Sequence, residues 1–323
     1  MKIMSTLLSP PQPLKAEQQN DFSIGICAAD RAANLSNLLT SITREQFPEG
    51  WTLRKVILVA SGCDPEALAF SRALAASDKR YKIIEEPERY GKSEAINKII
   101  DSFEGSFLVL VNSDASPEPG AIFKLLRAIG EDTNAGVISA SPAIAPKRGI
   151  TNGVVRLMWA AHNQCLEELT RADKNNHCCD ELLVIRSEAV QKLPADTVND
   201  GAFMAVNATR AGYAVKFCES ARVNIDVPQH MVDVIEQRRR ILFGHRQIWE
   251  SVGQPPKTLE SMLMTNPVLS ISILIKTLAR SPELVLALPV AIVSEAVSTF
   301  LAVLDTLTST KRHKLWARFG NKS

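Results

Sequence analysis

Apolar runs rich in β-branched residues alternate with amphipathic segments from residue 22 to about residue 141. Each run has the length and composition of a buried strand. The segments between the runs repeat apolar residues at helical spacing, as at Leu35, Leu38 and Leu39. The resulting β-α-β-α-β-α-β order predicts an α/β fold with a doubly wound, mostly parallel sheet and helices on both faces. The strand candidates are FSIGI at 22–26, KVILVA at 55–60, YKIIEE at 81–86, FLVLV at 107–111 and GVISAS at 136–141.

Beyond residue 150 the pattern is less regular. It predicts helices over 153–171, 201–211 and 230–249, and strands over 181–186 and 214–218. Apolar residues make up 46% of the 323 residues, enough for a sizeable core. The 37 basic and 35 acidic residues leave a net charge of +2, too small for a dedicated nucleic-acid binder. We therefore expect a globular protein that binds no nucleic acid.

Ligands of doubly wound sheets bind outside the carboxyl ends of the strands, so the residues that follow each strand are the first site candidates. These are residues 27–31, 61–64 and 112–115, which include Asp30, Asp64 and Asp114. The chain has no G-x-G-x-x-G and no G-x-x-x-x-G-K-[ST] sequence. Dinucleotide and P-loop chemistry therefore lack their main sequence support.

Two acids in particular suit chemistry at this edge. Asp114 follows a buried strand, where a carboxylate suits a hard divalent cation whose other ligands come from substrate phosphates. The alternative for Asp114 is an ordinary turn or helix-cap residue. Asp200 opens a predicted helix and could remove a proton from an attacking hydroxyl as a general base. The alternative for Asp200 is a first-turn acid favoured by the helix dipole.

Basic side chains cluster at two further places. Gln237 and Arg238 to Arg240 lie in one predicted helix, where forked guanidinium donors can bind a pyrophosphate. A solvated basic face is the alternative. Lys92 follows Gly91 at the start of another helix, where free backbone donors can meet an anion.

Taken together and in order, seven segments resemble the family-two glycosyltransferases of the GT-A fold over roughly residues 21–250. Each segment alone is a weak signal, but seven in the family's order are not expected by chance. The segments are FSIGICAADRAANLSNLL, VILVASGCDPE, GKSEAINK, VLVNSDASPEPGAIFKL, LLVIRSEAVQKLP followed by VNDGAFM, AGYAVKFCESARV, and QRRRILFGH.

The resemblance implies an inverting, hexosyl-type transferase that takes its sugar from a nucleotide-diphosphate-sugar donor. It assigns Asp114 to a divalent metal, Mn²⁺ or Mg²⁺, as the last acid of a DxD-like motif. It assigns Asp200 as the catalytic base, and Gln237 and Arg240 to a QxxRW-like motif near the diphosphate and acceptor. The predicted donor-binding residues are Ala28, Asp30, Ser61, Lys92, Asn112, Gln237, Arg238 and Arg240.

The chain also departs from the family pattern. Asn112 replaces the first acid of the DxD-like motif, Ser61 and Gly62 stand where many members carry paired acids, and Ile241 replaces the tryptophan of QxxRW. Ala29 replaces a common aromatic residue. These departures keep open an alternative, a catalytically weakened relative that binds a nucleotide sugar or acts as a scaffold in a membrane glycan-assembly complex.

The C-terminal region predicts contact with a membrane. Residues 284–304 form an apolar stretch whose only charge is Glu295, and basic residues follow at Lys311, Arg312, Lys314 and Arg318. An interfacial helix pair, with 266–278 as the second helix, is favoured over a full span because Pro289 and Glu295 dilute the stretch. A core or dimer helix is the alternative.

These features predict three regions: a flexible N-terminal tail over 1–20, a GT-A domain over 21–250 and a helical, membrane-associated region over 251–323. The six cysteines form no CxxC pair, which favours reduced thiols. We expect a protein on the cytoplasmic side of a membrane, peripheral or C-terminally anchored, acting on a cell-surface glycan or lipid-linked sugar. The five histidines form no recognisable ligand set, and only His245 is a candidate for an acceptor role, with packing favoured for it.

Overall fold

The computed structural model describes residues 20–29, 32–308 and 313. Within them, one eight-stranded sheet carries helices on both faces. The strands are β1 (Asp21–Ala28), β2 (Thr52–Ser61), β3 (Tyr81–Glu86), β4 (Phe107–Asn112), β5 (Ser116–Pro117), β6 (Ala135–Ala143), β7 (Leu182–Arg186) and β8 (Ala214–Asn224). The helices are α1 (Ala32–Arg44), α2 (Pro65–Ser77), α3 (Lys92–Ile100), α4 (Ala121–Glu131), α5 (Ile150–Arg171), α6 (Asp200–Arg210), α7 (Met231–Val252), α8 (Leu259–Thr265), α9 (Pro267–Arg280) and α10 (Leu288–Leu307).

The sheet order is β3-β2-β1-β4-β7-β6-β8-β5. The first four of these strands pair in parallel, and β6 pairs in parallel with β8. β7 runs antiparallel to both of its neighbours, and the short β5 runs antiparallel to β8. The predicted α/β class is confirmed, and the sheet is mixed because β7 enters it from the opposite direction.

Alternation along the strands builds a core on each face of the sheet. Phe22, Ile24 and Ile26 of β1 are fully buried in one cluster with apolar residues of α1 and α4. Leu108 and Leu110 of β4 pack on the other face with α3 and α6. Because helices cover both faces of the sheet, the sequences of these strands are continuous runs of apolar residues.

The parallel strands end level with one another, which creates the edge that the sequence predicts. Cys27 of β1 lies opposite Asn112 of β4, and Ala28 lies opposite Ala60 of β2. The main-chain N–H of Ser113 donates to the Cys27 carbonyl at 3.3 Å. The predicted site segments after β1, β2 and β4 therefore share one edge.

The C-terminal helices pack on α5 and α7. Leu284, Ala287 and Ala291 form an apolar cluster with Val154 and Leu157 of α5. A second cluster joins Met262 of α8 and Ile273 of α9 to α5. The predicted apolar stretch at 284–304 is divided between a 3₁₀ helix over Pro282–Ala287 and α10, with a proline in the first turn of each.

α10 presents its small and polar residues to the protein. The positions it buries are Ala291, Ser294, Ser298, Ala302 and Asp305. Its large apolar side chains face outward, including Val293, Val297, Phe300, Leu304 and Leu307. Among the described residues, Pro282–Leu307 is the one segment long and apolar enough to cross a membrane by length and composition, with a mean hydropathy of 2.1.

Candidate active site

A cleft of about 1340 Å³ opens at the edge where β1, β2 and β4 end. One part of its wall is polar and comes from these strand ends, from the start of α6 and from α7. The other part is apolar and comes from α8, α9 and α10. The polar lining includes Ser61, Lys92, Asn112, Asp114, Asp180, Glu181, Asp200, Gln237 and Arg240, and the apolar lining includes Leu263, Met264, Ile271, Leu274, Leu288, Ile292 and Phe300.

On one side, α3 makes hydrogen bonds to the segment that precedes Asp200 in the sequence. Ser93 Oγ donates to the Thr197 carbonyl at 2.8 Å. The Asn97 side chain exchanges two hydrogen bonds of 2.8 Å with the main chain of Leu193. Asn97 therefore satisfies both backbone groups of a residue that belongs to no helix or strand.

α7 holds the same segment from the other side. Gln247 accepts from the Val198 N–H at 3.0 Å and donates to the Asp196 carbonyl at 2.9 Å. A Cβ at Gly244 would lie 2.8 Å from Asn199 Cβ, so only glycine allows α7 to approach this closely. Asn199 caps α6, and Asp200 is the first residue of that helix and is 4% exposed.

Lys92, the first residue of α3, pairs with two carboxylates at the floor of the cleft. Its Nζ lies 2.5 Å from Asp180 Oδ2 and 2.9 Å from Asp200 Oδ2. Gly201 allows this arrangement, because a Cβ there would lie 2.6 Å from Asp180 Cβ. The three charged groups thus come from three separate segments.

The three groups perturb one another's titration. Burial lowers the pKa of Lys92, but the charges of Asp180 and Asp200 outweigh burial and hold that pKa well above its usual value. Burial raises the pKa of Asp200, the Lys92 ammonium opposes the rise, and the Asp180 charge adds to it. Burial also acts to raise the pKa of Asp180, but Lys92 outweighs it, so the pKa of Asp180 is lowered.

The end of β4 carries a second polar group. Asn112 Nδ2 donates to Glu181 Oε2 at 2.7 Å, and the Asn112 N–H donates to the Glu181 carbonyl at 3.1 Å. Asp114 is exposed at the wall of the cleft. Its side chain has no hydrogen-bond or ion-pair partner among the described residues. Within the described parts of the chain, no group of three or more His, Cys, Asp or Glu side chains is arranged to hold a metal ion.

The predicted donor-binding residues near β1 and β2 have different surroundings. Ala28 lines the cleft and is buried. Ser61 also lines it, and its hydroxyl donates to the buried Glu86 carboxylate. Asp30 lies outside the described residues.

Three of the four residues from Gln237 to Arg240 line the cleft, and Arg239 does not. Gln237 and Arg240 line the cleft, and Arg240 donates to the Val198 carbonyl at 2.9 Å, beside Asp200. Arg238 also lines the cleft, where it pairs with Glu260 of α8 and Glu295 of α10 at 2.7 and 2.8 Å. Arg239 pairs with Asp305 of α10 at 2.6 Å. A donor contact by Arg238, as predicted, would compete with these two carboxylates for its guanidinium.

Sequence reasoning missed Asp180 and Glu181. These two residues directly precede β7. Because β7 is antiparallel to β4, β7 begins where β4 ends, with Leu182 opposite Val111. An acidic pair, Asp180 and Glu181, stands at the start of the strand predicted at 181–186. Only the direction of that strand, which the sequence does not reveal, brings the pair to the cleft.

Two family models match the chain. The model of Glycosyl transferase family 2 matches residues 23–193, and that of Glycosyl transferase family group 2 matches residues 180–309. The chain belongs to glycosyl transferase family 2. The resemblance of its seven segments to this family is thereby confirmed.

Two solved structures resemble this chain to different degrees. The mannosyltransferase PcManGT from Pyrobaculum calidifontis, in complex with GDP-Man and Mn²⁺, has a TM-score of 0.62 at 16% identity, over 91% of this glycosyltransferase and 88% of that chain. TarS of S. aureus has a TM-score of 0.47 at 14% identity, over 69% of this chain and 39% of that one. The comparison with curated proteins finds no match. The first likeness confirms the GT-A fold.

The carboxyl of Glu181 gives a testable consequence of burial at this site. Burial raises the pKa of Glu181 to about 8 from 4.5, and the charges of Asp180 and Asp114 add to the effect. The folded protein therefore keeps a proton that the unfolded chain loses, so this group makes the free energy of unfolding fall as pH rises from 4.5 to 8. In Glu181→Gln, we expect stability relative to wild type to rise across the same window, measured by urea unfolding at several pH values.

A matched Glu49→Gln variant, at an exposed turn, controls for the loss of any surface carboxylate. A stability difference between Glu181→Gln and wild type that stays constant from pH 4.5 to 8 would contradict the assignment.

Proposed function

We propose that this glycosyltransferase moves a hexosyl group from a nucleotide-diphosphate-sugar donor to a hydroxyl acceptor, with inversion at the anomeric carbon. The observation that carries the proposal is the position of Asp200, which opens α6 in the cleft beside Lys92 and Arg240. A buried carboxylate with a raised pKa is suited to accept a proton from an attacking hydroxyl. A single in-line displacement then inverts the configuration.

Asp114 is the residue that we propose holds a divalent metal, Mn²⁺ or Mg²⁺. Its carboxylate is exposed in the cleft without a partner among the described residues, which fits a hard cation completed by diphosphate oxygens. When bound, such an ion supplies charge neutralisation for the departing diphosphate. PcManGT, which shares the fold, was solved with GDP-Man and Mn²⁺.

The remaining residues position the reactants. In the transfer step, the Asp200 carboxylate takes the hydroxyl proton, the acceptor oxygen bonds to the anomeric carbon, and the bond from that carbon to the diphosphate oxygen breaks. Arg240 lies beside Asp200 and contributes positive charge at the cleft, where an anionic leaving group is stabilised. Lys92 fixes the Asp200 carboxylate in one orientation.

Isosteric variants of the two acids test this proposal. We expect wild-type protein to bind one class in a calorimetric panel of UDP-, GDP-, dTDP- and CDP-sugars in the presence of Mn²⁺. Asp114→Asn should abolish the Mn²⁺-dependent part of that binding. Asp200→Asn should retain binding but lower the rates of transfer and donor hydrolysis by about 100-fold to 10,000-fold, because a general base is lost.

Asp173→Asn is the matched control, since Asp173 is exposed and has a positive φ of 53° that asparagine tolerates. Folding of each variant is checked by circular dichroism. Donor binding without turnover in the wild type would favour the alternative, a weakened relative or scaffold. No binding of any donor by folded wild-type protein would overturn the proposal.

Asp180 provides a second test, because its charge raises the pKa of Asp200. In Asp180→Asn, Lys92 pairs with Asp200 alone and Arg240 still faces it, so the pKa of Asp200 should fall. The acid limb of the pH profile for donor hydrolysis should shift to lower pH. Asp196→Asn, which removes an exposed acid four residues before Asp200, is the control, and an unshifted acid limb in Asp180→Asn would argue against Asp200 as the base.

The C-terminal helices suggest where the protein acts. Most of the exposed large apolar side chains among the described residues lie between residues 259 and 307. Exposed apolar surface on this scale marks an interaction site. We propose that it lies in the interface of a membrane, on the cytoplasmic side, with the basic residues at 311–318 toward anionic head groups. Those basic residues lie outside the described part of the chain.

The cleft suggests the class of acceptor. Its polar wall continues into an apolar wall formed by α8, α9 and α10, where Ile271, Leu274 and Ile292 line it. A sugar without a lipid has no apolar part that would contact this wall. A lipid-linked sugar has a polar part for the polar wall and an apolar part for the apolar wall. We therefore propose a lipid-linked sugar or a membrane-borne glycan as the acceptor.

Vesicle flotation tests the membrane proposal. With vesicles of phosphatidylcholine and phosphatidylglycerol, we expect a variant with Val293, Val297 and Phe300 all changed to serine to bind about tenfold or more weakly than wild type, because apolar area is lost from the interface. Phe70→Ser combined with Ile150→Ser is the control, since both residues are exposed elsewhere on the surface.

Equal flotation of the triple variant and the wild type would overturn the assignment of this surface. Wild-type protein that does not float but forms a concentration-dependent dimer, which the triple variant loses, would identify α10 as a dimer helix instead.

A further inference from the structure

Three of the five histidines converge in the wall of the cleft. His162 comes from α5, His177 from the segment between α5 and β7, and His245 from α7. The rings of His162 and His177 lie 5.2 Å apart, and those of His177 and His245 lie 5.1 Å apart. Trp159 continues the row at 5.3 Å from His162. Residues far apart in sequence thus form one continuous row of edge-to-face rings.

The hydrogen bonding of the row is incomplete. His177 Nε2 and His245 Nε2 share one hydrogen bond of 3.2 Å. His177 is only 5% exposed, yet its Nδ1 has no partner among the described residues, and neither does the buried Nε2 of His162. A buried polar atom without a partner is destabilising, and such atoms in native proteins need a physical explanation.

Burial disfavours the charged form of all three rings. Burial lowers the pKa of His162 to about 3 and that of His177 to about 4, and it holds the pKa of His245 well below its usual value. The charges that face them, Arg238 of α7, Glu260 of α8 and Asp180, do not reverse this. A neutral imidazole offers one donor and one acceptor, which matches the hydroxyl groups of a sugar better than it matches an anion.

The position of the row distinguishes it from the donor end of the cleft. The residues at the donor end follow β1, β2 and β4, whereas the row is built on α5, α7 and the segment before β7. His177 precedes Asp180 by three residues, and His245 follows Arg240 by about one and a half helical turns. The row therefore lies near Asp180, which shares Lys92 with the proposed base Asp200, and it shares no element with the ends of β1, β2 and β4.

We propose that His162, His177 and His245 form a hydrogen-bonding subsite for the hydroxyl groups of the acceptor sugar, with Trp159 beside it. The inference rests on the proposed function, since it names the residues that position the acceptor for Asp200. Because the open nitrogens are themselves buried, the rings must turn toward the cleft for the acceptor's hydroxyls to complete their hydrogen bonds. The apolar wall beyond it takes the rest of the acceptor.

Octyl glycosides are suitable probes, because they join a sugar to an apolar chain. The inhibition constants of octyl β-glucoside, β-galactoside and α-mannoside are measured against donor hydrolysis, and direct binding is measured by saturation-transfer NMR. In His177→Phe and in His245→Phe, which keep a planar ring, the ratio of the glycoside inhibition constant to the donor KM should rise about tenfold. His177→Gln, which restores a donor and an acceptor, should recover most of the loss.

His230→Phe is the matched control, because His230 is exposed at the start of α7 and lies outside the row. Saturation-transfer NMR needs no turnover, so it tests the histidine subsite separately from the proposed function. A protein that hydrolyses no nucleotide sugar but still binds glycosides through the row would contradict the proposed function and leave the subsite intact. The inference is overturned if folded wild-type protein binds none of the three glycosides, or if the histidine variants bind them as the wild type does.

Discussion

The ion pairs of Lys92 with Asp180 and Asp200 are the interaction on which the site depends. Two neighbouring carboxylates at the floor of the cleft, Asp200 buried and Asp180 half-buried, repel each other, and the Lys92 ammonium between them offsets that repulsion. The helix starts of α3 and α6 and the segment before β7 must therefore meet at one point. Gly201 allows the start of α6 to lie close to Asp180, since any side chain at this position would overlap Asp180.

α7 connects this site to the rest of the molecule through two faces. One face carries Gly244 against the cap of α6 and Arg240 against the Val198 carbonyl, so it fixes the segment before Asp200. The other face carries Arg238 and Arg239, whose carboxylate partners belong to α8 and α10. One helix, α7, therefore contacts both the segment before Asp200 and the C-terminal helices α8 and α10.

The sequence predicts the strands of the first half closely, because both faces of the sheet are covered and the strands are uniformly apolar. It also predicts that the segments after β1, β2 and β4 share an edge, since parallel strands end together. It does not predict Asp180 or the histidine row. Asp180 reaches the cleft only because β7 runs antiparallel to β4, and His177 and His245 meet only through packing of α7 on distant segments. Neither strand direction nor helix packing is encoded in local periodicity.

α10 shows why composition alone does not distinguish a helix that spans a membrane from one that packs on the protein. By length and hydropathy the segment would span a bilayer, yet its buried stripe is polar and its partners are specific. Ser298 Oγ donates to the Ile235 carbonyl, and Glu295 and Asp305 pair with Arg238 and Arg239. A spanning helix would have to abandon these ion pairs or draw the arginines of α7 into hydrocarbon, which is costly. For the membrane association proposed above, a helix lying in the interface would keep its pairs with α7 and give its apolar face to lipid, which favours the in-plane arrangement over a full span.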